Sequence, residues 1–315
     1  MPRLFALALA LLPGIAAAQS IRFEIHELPS LTPTDKQFLT GAKDAPPVVL
    51  GAELRIPNSE NRVPAVVLLH GSGGIGFNVD IWARELNGMG IATLIVDSFT
   101  GRKIVNTLND QSQLGALTML VDAYRALDLL AHDPRIDPAR IAVMGFSRGG
   151  TPALYTSMRR FQKMWAPAGA TFAAHVAFYP PCYRTYIEDT NFDDAPARLF
   201  HGTADDYVPI GPCRGYVGRL RAAGKDVKLY EYANAGHAFD GPRKAPLKLP
   251  DAQTMRNCAL EEKPLGQIID SKTRKPFDWN DPCIEKGPTV AYSEEAQQQA
   301  IKDVREFLTA ALKLK

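Results

Sequence analysis

Along most of the chain, short continuous apolar runs alternate with longer stretches whose apolar residues recur at helical spacing. Ala65 to Leu69, Ile91 to Val96, Ile141 to Met144, Phe172 to Phe178, Ala197 to Phe200 and Val227 to Tyr232 read as strands. Val-rich runs with no polar alternation fit strands buried on both faces. Between them, Ile81 to Met89, Leu114 to Ala131, a segment beginning near Arg148, and Pro212 to Ala223 read as helices. In the second of these, apolar residues fall at 114, 117, 120, 121, 124, 127, 130 and 131, close to a 3.6 period. Asp80 is placed to cap the first, and Asp137-Pro138 marks a turn. Val48 to Ile56 alternates loosely, as an outer strand does. Ser293 to Leu312 is an amphipathic closing helix, opened by Ser-x-x-Ala rather than a full capping box. Residues 20 to 46 contain prolines and hold no sustained period.

Strands alternating with helices predict an α/β domain with a mainly parallel sheet covered on both faces. In such sheets ligands gather at the carboxyl ends of the strands. Two segments break the rhythm: a long loop at 97–113, and an insertion at 238–292 rich in Pro, Lys and Asp.

At the N-terminus, Arg3 precedes an apolar run from Leu4 to Ile15, and Ala16-Ala17-Ala18 offers a cleavage site before Gln19. That layout predicts a signal peptide over 1–18 and an exported single domain over 19–315. The apolar run is too short to span a bilayer, and no later one is longer, so no membrane span is expected in the mature chain. Export changes how the four cysteines read. None stands in a C-x-x-C pattern, so zinc and dithiol chemistry are disfavoured. An even number in an oxidising compartment predicts disulfides. Cys182–Cys213 and Cys258–Cys283 is the preferred pairing, because each pair lies close in the predicted architecture; the second would staple the insertion. A formal net charge of +2, with no basic arm or acidic tail, gives no reason to expect nucleic acid as a partner.

Candidate chemistry centres on Gly145-Phe146-Ser147-Arg148-Gly149, a G-x-S-x-G. In a chain with 24 glycines the bare pattern is weak. Its setting is stronger, because a predicted strand leads in and a predicted helix leads out, the context of a nucleophile elbow. Glycines are needed on both sides because the turn brings strand and helix backbones together. A serine hydroxyl attacks only if a base takes its proton, and the chain order expected is Ser, then an acid, then His. After the strand ending at Phe200 comes His201-Gly202-Thr203-Ala204-Asp205-Asp206-Tyr207-Val208-Pro209; after the last strand comes Ala235-Gly236-His237-Ala238-Phe239. Ser147 as nucleophile, His237 as general base and acid, and Asp205 or Asp206 as the orienting acid follow from that order. Spacing alone does not choose between the aspartates. Oxyanion donors are expected from the backbone N–H of Arg148 and from the loop after Leu69, with Ser72 first and Gly73 next. His70 is expected to anchor that loop. Arg148 and Arg102 stand in predicted loops at the same edge, where an arginine can hold a substrate anion, although a solvated loop arginine is the commoner outcome. Trp82, Phe77 and Trp165 are candidates for an acyl pocket, with core packing the commoner fate.

One rival uses the same loop. Gly71 to Gly76 matches G-x-G-x-x-G after a strand, and Asp97 stands 21 residues beyond Gly76, which is the fingerprint of a dinucleotide-binding oxidoreductase. Against it, the helix is predicted to start near Ile81 rather than within the glycines, another strand precedes the unit, and the Ser147, Asp205 and His237 loops go unexplained.

Taken together, His70-Gly71-Ser72-Gly73-Gly74, Asp97-Ser98-Phe99, Gly145 to Gly150, Gly202 to Pro209 and Gly236-His237-Ala238-Phe239 resemble the dienelactone hydrolase family over about residues 48–312. The resemblance implies an α/β-hydrolase fold, a small-molecule ester as substrate, and no cofactor or metal. The acid of that family lies three positions after a glycine and three before Val-Pro, which favours Asp205. Founding members carry a cysteine nucleophile. Ser147 departs from them, which argues against dienelactone itself as the substrate; the insertion at 238–292 is larger than the minimal family fold, so a differently covered pocket is expected. A peptidase or acyltransferase would use the same three residues; a non-catalytic binding member would have lost one.

Overall fold

A computed structural model describes residues 20–242 and 245–314. The expected signal peptide lies outside the described residues. The chain runs β1 (Ile21–Leu31), α1 (Asp35–Thr40), β2 (Pro47–Pro57), β3 (Val63–Leu69), α2 (Phe77–Gly88), β4 (Ala92–Asp97), α3 (Thr118–His132), β5 (Ile136–Phe146), α4 (Gly150–Tyr155), α5 (Arg159–Trp165), β6 (Ala174–Phe178), β7 (Arg184–Thr185), β8 (Ala197–Gly202), α6 (Gly211–Ala222) and β9 (Val227–Tyr232). Six short strands follow: β10 (Leu247–Lys248), β11 (Gln253–Thr254), β12 (Leu260–Lys263), β13 (Gln267–Asp270), β14 (Glu285–Lys286) and β15 (Thr289–Val290). Helix α7 (Glu294–Ala311) closes the chain.

Eight strands form one sheet in the order β1-β2-β4-β3-β5-β6-β8-β9. From β4 to β9 every pairing is parallel, whereas β1 and β2 are antiparallel additions at one edge. The central strand β3 is buried along its whole length, which explains its unbroken apolar run. Apolar side chains cover both faces. Phe38, Leu120, Leu127 and Leu154 pack on one side; Trp82, Leu86, Val304 and Leu308 pack on the other. The fold is a three-layer α/β arrangement with the mainly parallel sheet expected from the alternation, consistent with the fold that the family resemblance implies.

Three local readings need correction. β1 was invisible as a pattern because it is an edge strand with most side chains half-buried or exposed; neither face imposes alternation, and the edge tolerates Pro29. Helix α2 begins at Phe77, not Ile81, and its N-cap is Gly76, not Asp80. Asp80 instead pairs with Arg55 at 2.7 Å. Asp137-Pro138 does not end an element. It lies inside β5, where the partners of Val63 and Ala65 jump from Ile136 to Ile141, so the extra residues bulge out of the ladder. In the closing helix the Ser293 Oγ accepts from the Ala296 N–H, a single-sided cap.

Both disulfides join the expected partners, Cys182 to Cys213 and Cys258 to Cys283. The insertion has more structure than its composition suggests. β10 pairs with β15, β11 with β14, and β12 with both β13 and β7. Around its disulfide, Met255, Leu260, Phe277 and Trp279 make a small core of their own. Among the described residues no helix is long and apolar enough to cross a membrane.

Candidate active site

The end of β5 turns sharply into α4, and Ser147 stands at the apex with φ at +52°. A left-handed serine is uncommon, and here the neighbouring glycines make the turn sterically possible. A Cβ added to Gly145 would sit 1.9 Å from the Gly149 carbonyl oxygen, and one on Gly149 would sit 2.2 Å from the Leu69 carbonyl oxygen.

The ends of β8 and β9 bring the other two groups to the same edge. His237 Nε2 lies 2.9 Å from Ser147 Oγ, and His237 Nδ1 lies 2.7 Å from Asp205 Oδ2. An ionised carboxylate only accepts, so Nδ1 carries the proton and Nε2 presents its lone pair to the serine hydroxyl. The other carboxylate oxygen, Oδ1, accepts the backbone N–H groups of Tyr207 at 2.9 Å and Val208 at 2.8 Å. Burial by itself would raise the Asp205 pKa. The His237 and His201 imidazoles beside it more than offset that, holding the carboxyl well below the usual range. Asp206 faces away, and its Oδ1 accepts the Thr289 N–H at 2.9 Å. The acid and histidine loops are laced together, because the Thr203 and Ala204 N–H groups donate to the Tyr232 and Ala235 carbonyls. Gly202 permits this closeness, since a Cβ there would meet the Ala235 oxygen at 2.2 Å.

A pH dependence follows. The folded Asp205 pKa is depressed below its unfolded value, so its contribution to stability is present above the unfolded value, about 3.9, and is lost as pH falls through the folded one. Urea unfolding of the wild type and of Asp205→Asn is expected to show a stability gap at pH 6 that narrows steadily below about pH 4. A gap that widened on acidification would contradict the ionised, hydrogen-bonded carboxylate.

Two tyrosine rings also pack against the imidazole. The Tyr179 ring centroid lies 4.6 Å from that of His237 at an interplanar angle of 58°, and the Tyr207 centroid lies 4.7 Å away at 47°. Tyr179 is buried at the end of β6 with φ at +36°. Its hydroxyl donates to Asp240 Oδ1 at 2.6 Å, and Asp240 Oδ2 accepts from Trp82 Nε1 at 2.8 Å. Complete burial raises the Asp240 pKa. Neither tyrosine nor Asp240 was singled out from the sequence. Tyr179 directly follows a predicted strand, which was the available signal; Asp240 had none.

Ser72 and Ser147 face one pocket. The Ser72 N–H has no hydrogen-bond partner among the described residues. Arg148 lies in the 3₁₀ turn Ser147–Gly149 that runs into α4, where first-turn N–H groups lack an intrahelical acceptor. Gln111 ties the two loops together. Its Oε1 accepts from Arg148 Nη1 at 2.5 Å and from Ser72 Oγ at 3.1 Å, while its backbone N–H donates to Gln253 Oε1 in the insertion at 2.8 Å.

The arginine proposals do not survive as substrate anchors. The Arg148 guanidinium is turned inward to Gln111 and the Leu114 carbonyl, and burial pushes its pKa down to about 10. Arg102 makes a two-pronged bond with Asp122, at 2.8 Å for each contact. Of the three aromatic candidates only Phe77 lines the pocket. Trp82 is bonded to Asp240, and Trp165 stacks on Phe38 with centroids 5.2 Å apart. His70 anchors its loop as expected, Nε2 accepting from the Ser98 N–H at 3.1 Å, and burial lowers its pKa. The glycine loop needs a more careful statement. Because α2 starts directly after Gly76, the helix-position argument against a dinucleotide fails. Two observations still count against it. Gly71, Gly73, Gly74 and Gly76 line the pocket that holds Ser147 and His237, and Asp97 Oδ1 is occupied by the Phe99 and Thr100 N–H groups at 3.0 Å.

Fold and family together place the chain among the hydrolases of the α/β-hydrolase superfamily. The family model described as "Dienelactone hydrolase family" matches residues 50–312, and the chain belongs to that family. Among solved structures, a putative dienelactone hydrolase from Klebsiella pneumoniae superposes with a TM-score of 0.57 at 16% identity, over 93% of this chain and 100% of that one. A dienelactone hydrolase-like promiscuous phosphotriesterase from metagenomic libraries gives 0.54 at 17% identity, over 92% and 98%. Esterase 2 of Thermogutta terrifontis, phosphoramylated by tabun, gives 0.55 at 17% identity, over 83% and 89%. At these identities the likeness is one of fold. No curated protein sequence matches the chain.

Proposed function

We propose that the chain is an exported serine esterase that cleaves carboxylic esters through an acyl-enzyme on Ser147. The observation that carries this reading is the unbroken relay from Ser147 Oγ through His237 to Asp205, at 2.9 and 2.7 Å. His237 Nε2 takes the hydroxyl proton as Oγ attacks the ester carbonyl, then delivers it to the leaving alcohol. Asp205 keeps the imidazole in the tautomer that can do this and stabilises the imidazolium. The backbone N–H groups of Ser72 and Arg148 receive the oxyanion, the second at the start of a helix. Water then repeats the sequence to release the acid. Esters are preferred over amides because the chain belongs to the dienelactone hydrolase family and one structural neighbour is named an esterase. Two disulfides among the described residues support export.

The test is a fluorophosphonate probe followed by peptide mapping. Labelling is expected at Ser147 and is expected to vanish in His237→Ala; label on another residue would sink the assignment. The two aspartates also separate in rate. Asp205→Asn is expected to lower kcat by about 10³–10⁴, whereas Asp206→Asn, whose side chain holds only the insertion, should stay within roughly fivefold of the parent, as removal of one surface hydrogen bond predicts. Steady-state hydrolysis of an aryl acetate reads both.

A further inference from the structure

The disulfide-stapled insertion divides the space around Ser147 into two unequal chambers. The larger has a volume of about 580 Å³ and the smaller about 50 Å³. Ser72, Ser147 and Tyr207 line both, so each chamber borders the candidate nucleophile and the proposed oxyanion donor. Two arms of one substrate diverging from a reacting carbonyl would enter one each. The insertion builds a wall of both. Leu249 and Val290 line the larger chamber together with Phe77 and Phe146. Met255 and Trp279 line the smaller together with Thr151 and Pro181.

These walls are held firmly where they matter. Thr254 Oγ1 donates to the Tyr207 carbonyl at 2.6 Å, the Thr289 N–H donates to Asp206 at 2.9 Å, and the Ala291 N–H donates to the His237 carbonyl at 3.0 Å. The insertion is therefore bonded to the acid loop and the histidine loop themselves, so its walls keep a set distance from the serine. Charge completes the picture. Among the described residues, the lining of the large chamber includes no lysine, arginine or carboxylate, and Arg148 and Arg102 are spent on Gln111, Leu114 and Asp122. A charged arm placed there would find no charged partner among the described lining residues to offset its desolvation.

We propose that the substrate is an uncharged ester with one bulky apolar arm, of aryl or alicyclic size, and one short unbranched arm of roughly two or three heavy atoms, the latter limited by a cavity little larger than one or two water molecules. Leu249 sets the first limit and Trp279 the second. This rests on the esterase reading above and specifies its substrate class.

The experiment measures kcat/KM for matched esters in both orientations: 2-naphthyl acetate against 2-naphthyl hexanoate, and methyl against hexyl 2-naphthylacetate. 6-Carboxy-2-naphthyl acetate supplies the charged bulky arm. In the orientation that turns over, lengthening the short arm is expected to cost about 30-fold or more, and the added carboxylate about as much, given what a misfitted or unpaired group costs in a shaped pocket. Trp279→Ala is expected to raise the long-arm to short-arm ratio of kcat/KM by at least about 10-fold. Leu249→Trp is expected to lower kcat/KM on the naphthyl esters relative to ethyl acetate by at least about 10-fold. Equal kcat/KM across arm lengths in the wild type overturns the proposal. So does a folded, fluorophosphonate-reactive Trp279→Ala with an unchanged ratio. If that variant does not fold, Met255→Ala opens the same chamber and is held to the same ratio. Absence of hydrolysis of every ester by wild-type protein, with no label on Ser147, defeats the esterase reading itself and is distinguishable from a flat size profile.

Discussion

Ser147→Ala is expected to lower kcat on 2-naphthyl acetate by about 10⁴ or more while leaving the fold intact. The size of the loss follows from the relay. His237 and Asp205 have no function in attack once the hydroxyl is gone, so the three groups fail as a unit rather than by shares. On the proposed mechanism, what survives is binding in the large chamber and the Ser72 and Arg148 N–H groups, which can still favour attack by water. The fold should survive because the change removes one oxygen at a half-buried position, and alanine at φ +52° is no more strained there than serine. KM is expected to change little, since the substrate's arms rest on the chamber walls. The comparison needs steady-state rates and a thermal melt on the same preparation. Retention of more than about a tenth of kcat, in protein free of wild-type contamination, would remove Ser147 from the reaction.

What could be read before any coordinates divides along one physical line. Strands β3, β4, β5 and β6 were visible because burial on two faces leaves a continuous apolar run, whereas β9, at the sheet's edge, keeps Lys228 and Glu231 exposed. The turn at Ser147 was visible because backbone collision demands glycine at Gly145 and Gly149. Ser147, Asp205 and His237 could be nominated because each follows a strand end in the expected chain order, and the choice of Asp205 came from the family's local spacing. Features set by distant partners were not legible. β1 is an edge strand whose side chains answer to no second layer. Tyr179, Tyr207 and Asp240 are defined by contacts with His237 and Trp82, up to 158 residues away in the chain. Gln111 looks like one loop glutamine among many until its contacts with Ser72, Arg148 and the insertion are seen. The arginine readings failed for a related reason. Loop position predicts exposure, and only the fold reveals that Arg102 has Asp122 beneath it. The insertion was recognised as a break in rhythm, but which chamber each wall residue closes depends on how its short strands dock onto the acid and histidine loops.

Gly145→Ala is the substitution from which the largest loss of stability is expected, although it adds only a methyl group and lies outside the catalytic relay. Its Cβ would stand 1.9 Å from the Gly149 carbonyl oxygen and 2.5 Å from the Gly149 carbonyl carbon. Those atoms are backbone, fixed by the turn on one side and by α4 on the other, so they cannot swing aside as a side-chain end would. Relief requires β5 and α4 to move apart, which opens the packing of Phe146 and the β3–β5 ladder together. The cost should exceed about 3 kcal/mol, a large share of the 5–15 kcal/mol typical of a domain. For a chain of this size that corresponds to a fall in Tm of roughly 6–10 °C or more. The same chemical change at Gly215, exposed on α6 with nothing within 4 Å of an added Cβ, should instead stabilise by about 0.5–1 kcal/mol, because alanine loses less backbone freedom on entering a helix. Differential scanning calorimetry of the two variants beside the parent makes the comparison. Opposite signs are expected; a Gly145→Ala melt within about 2 °C of the parent would mean that β5 and α4 do not approach as closely as described.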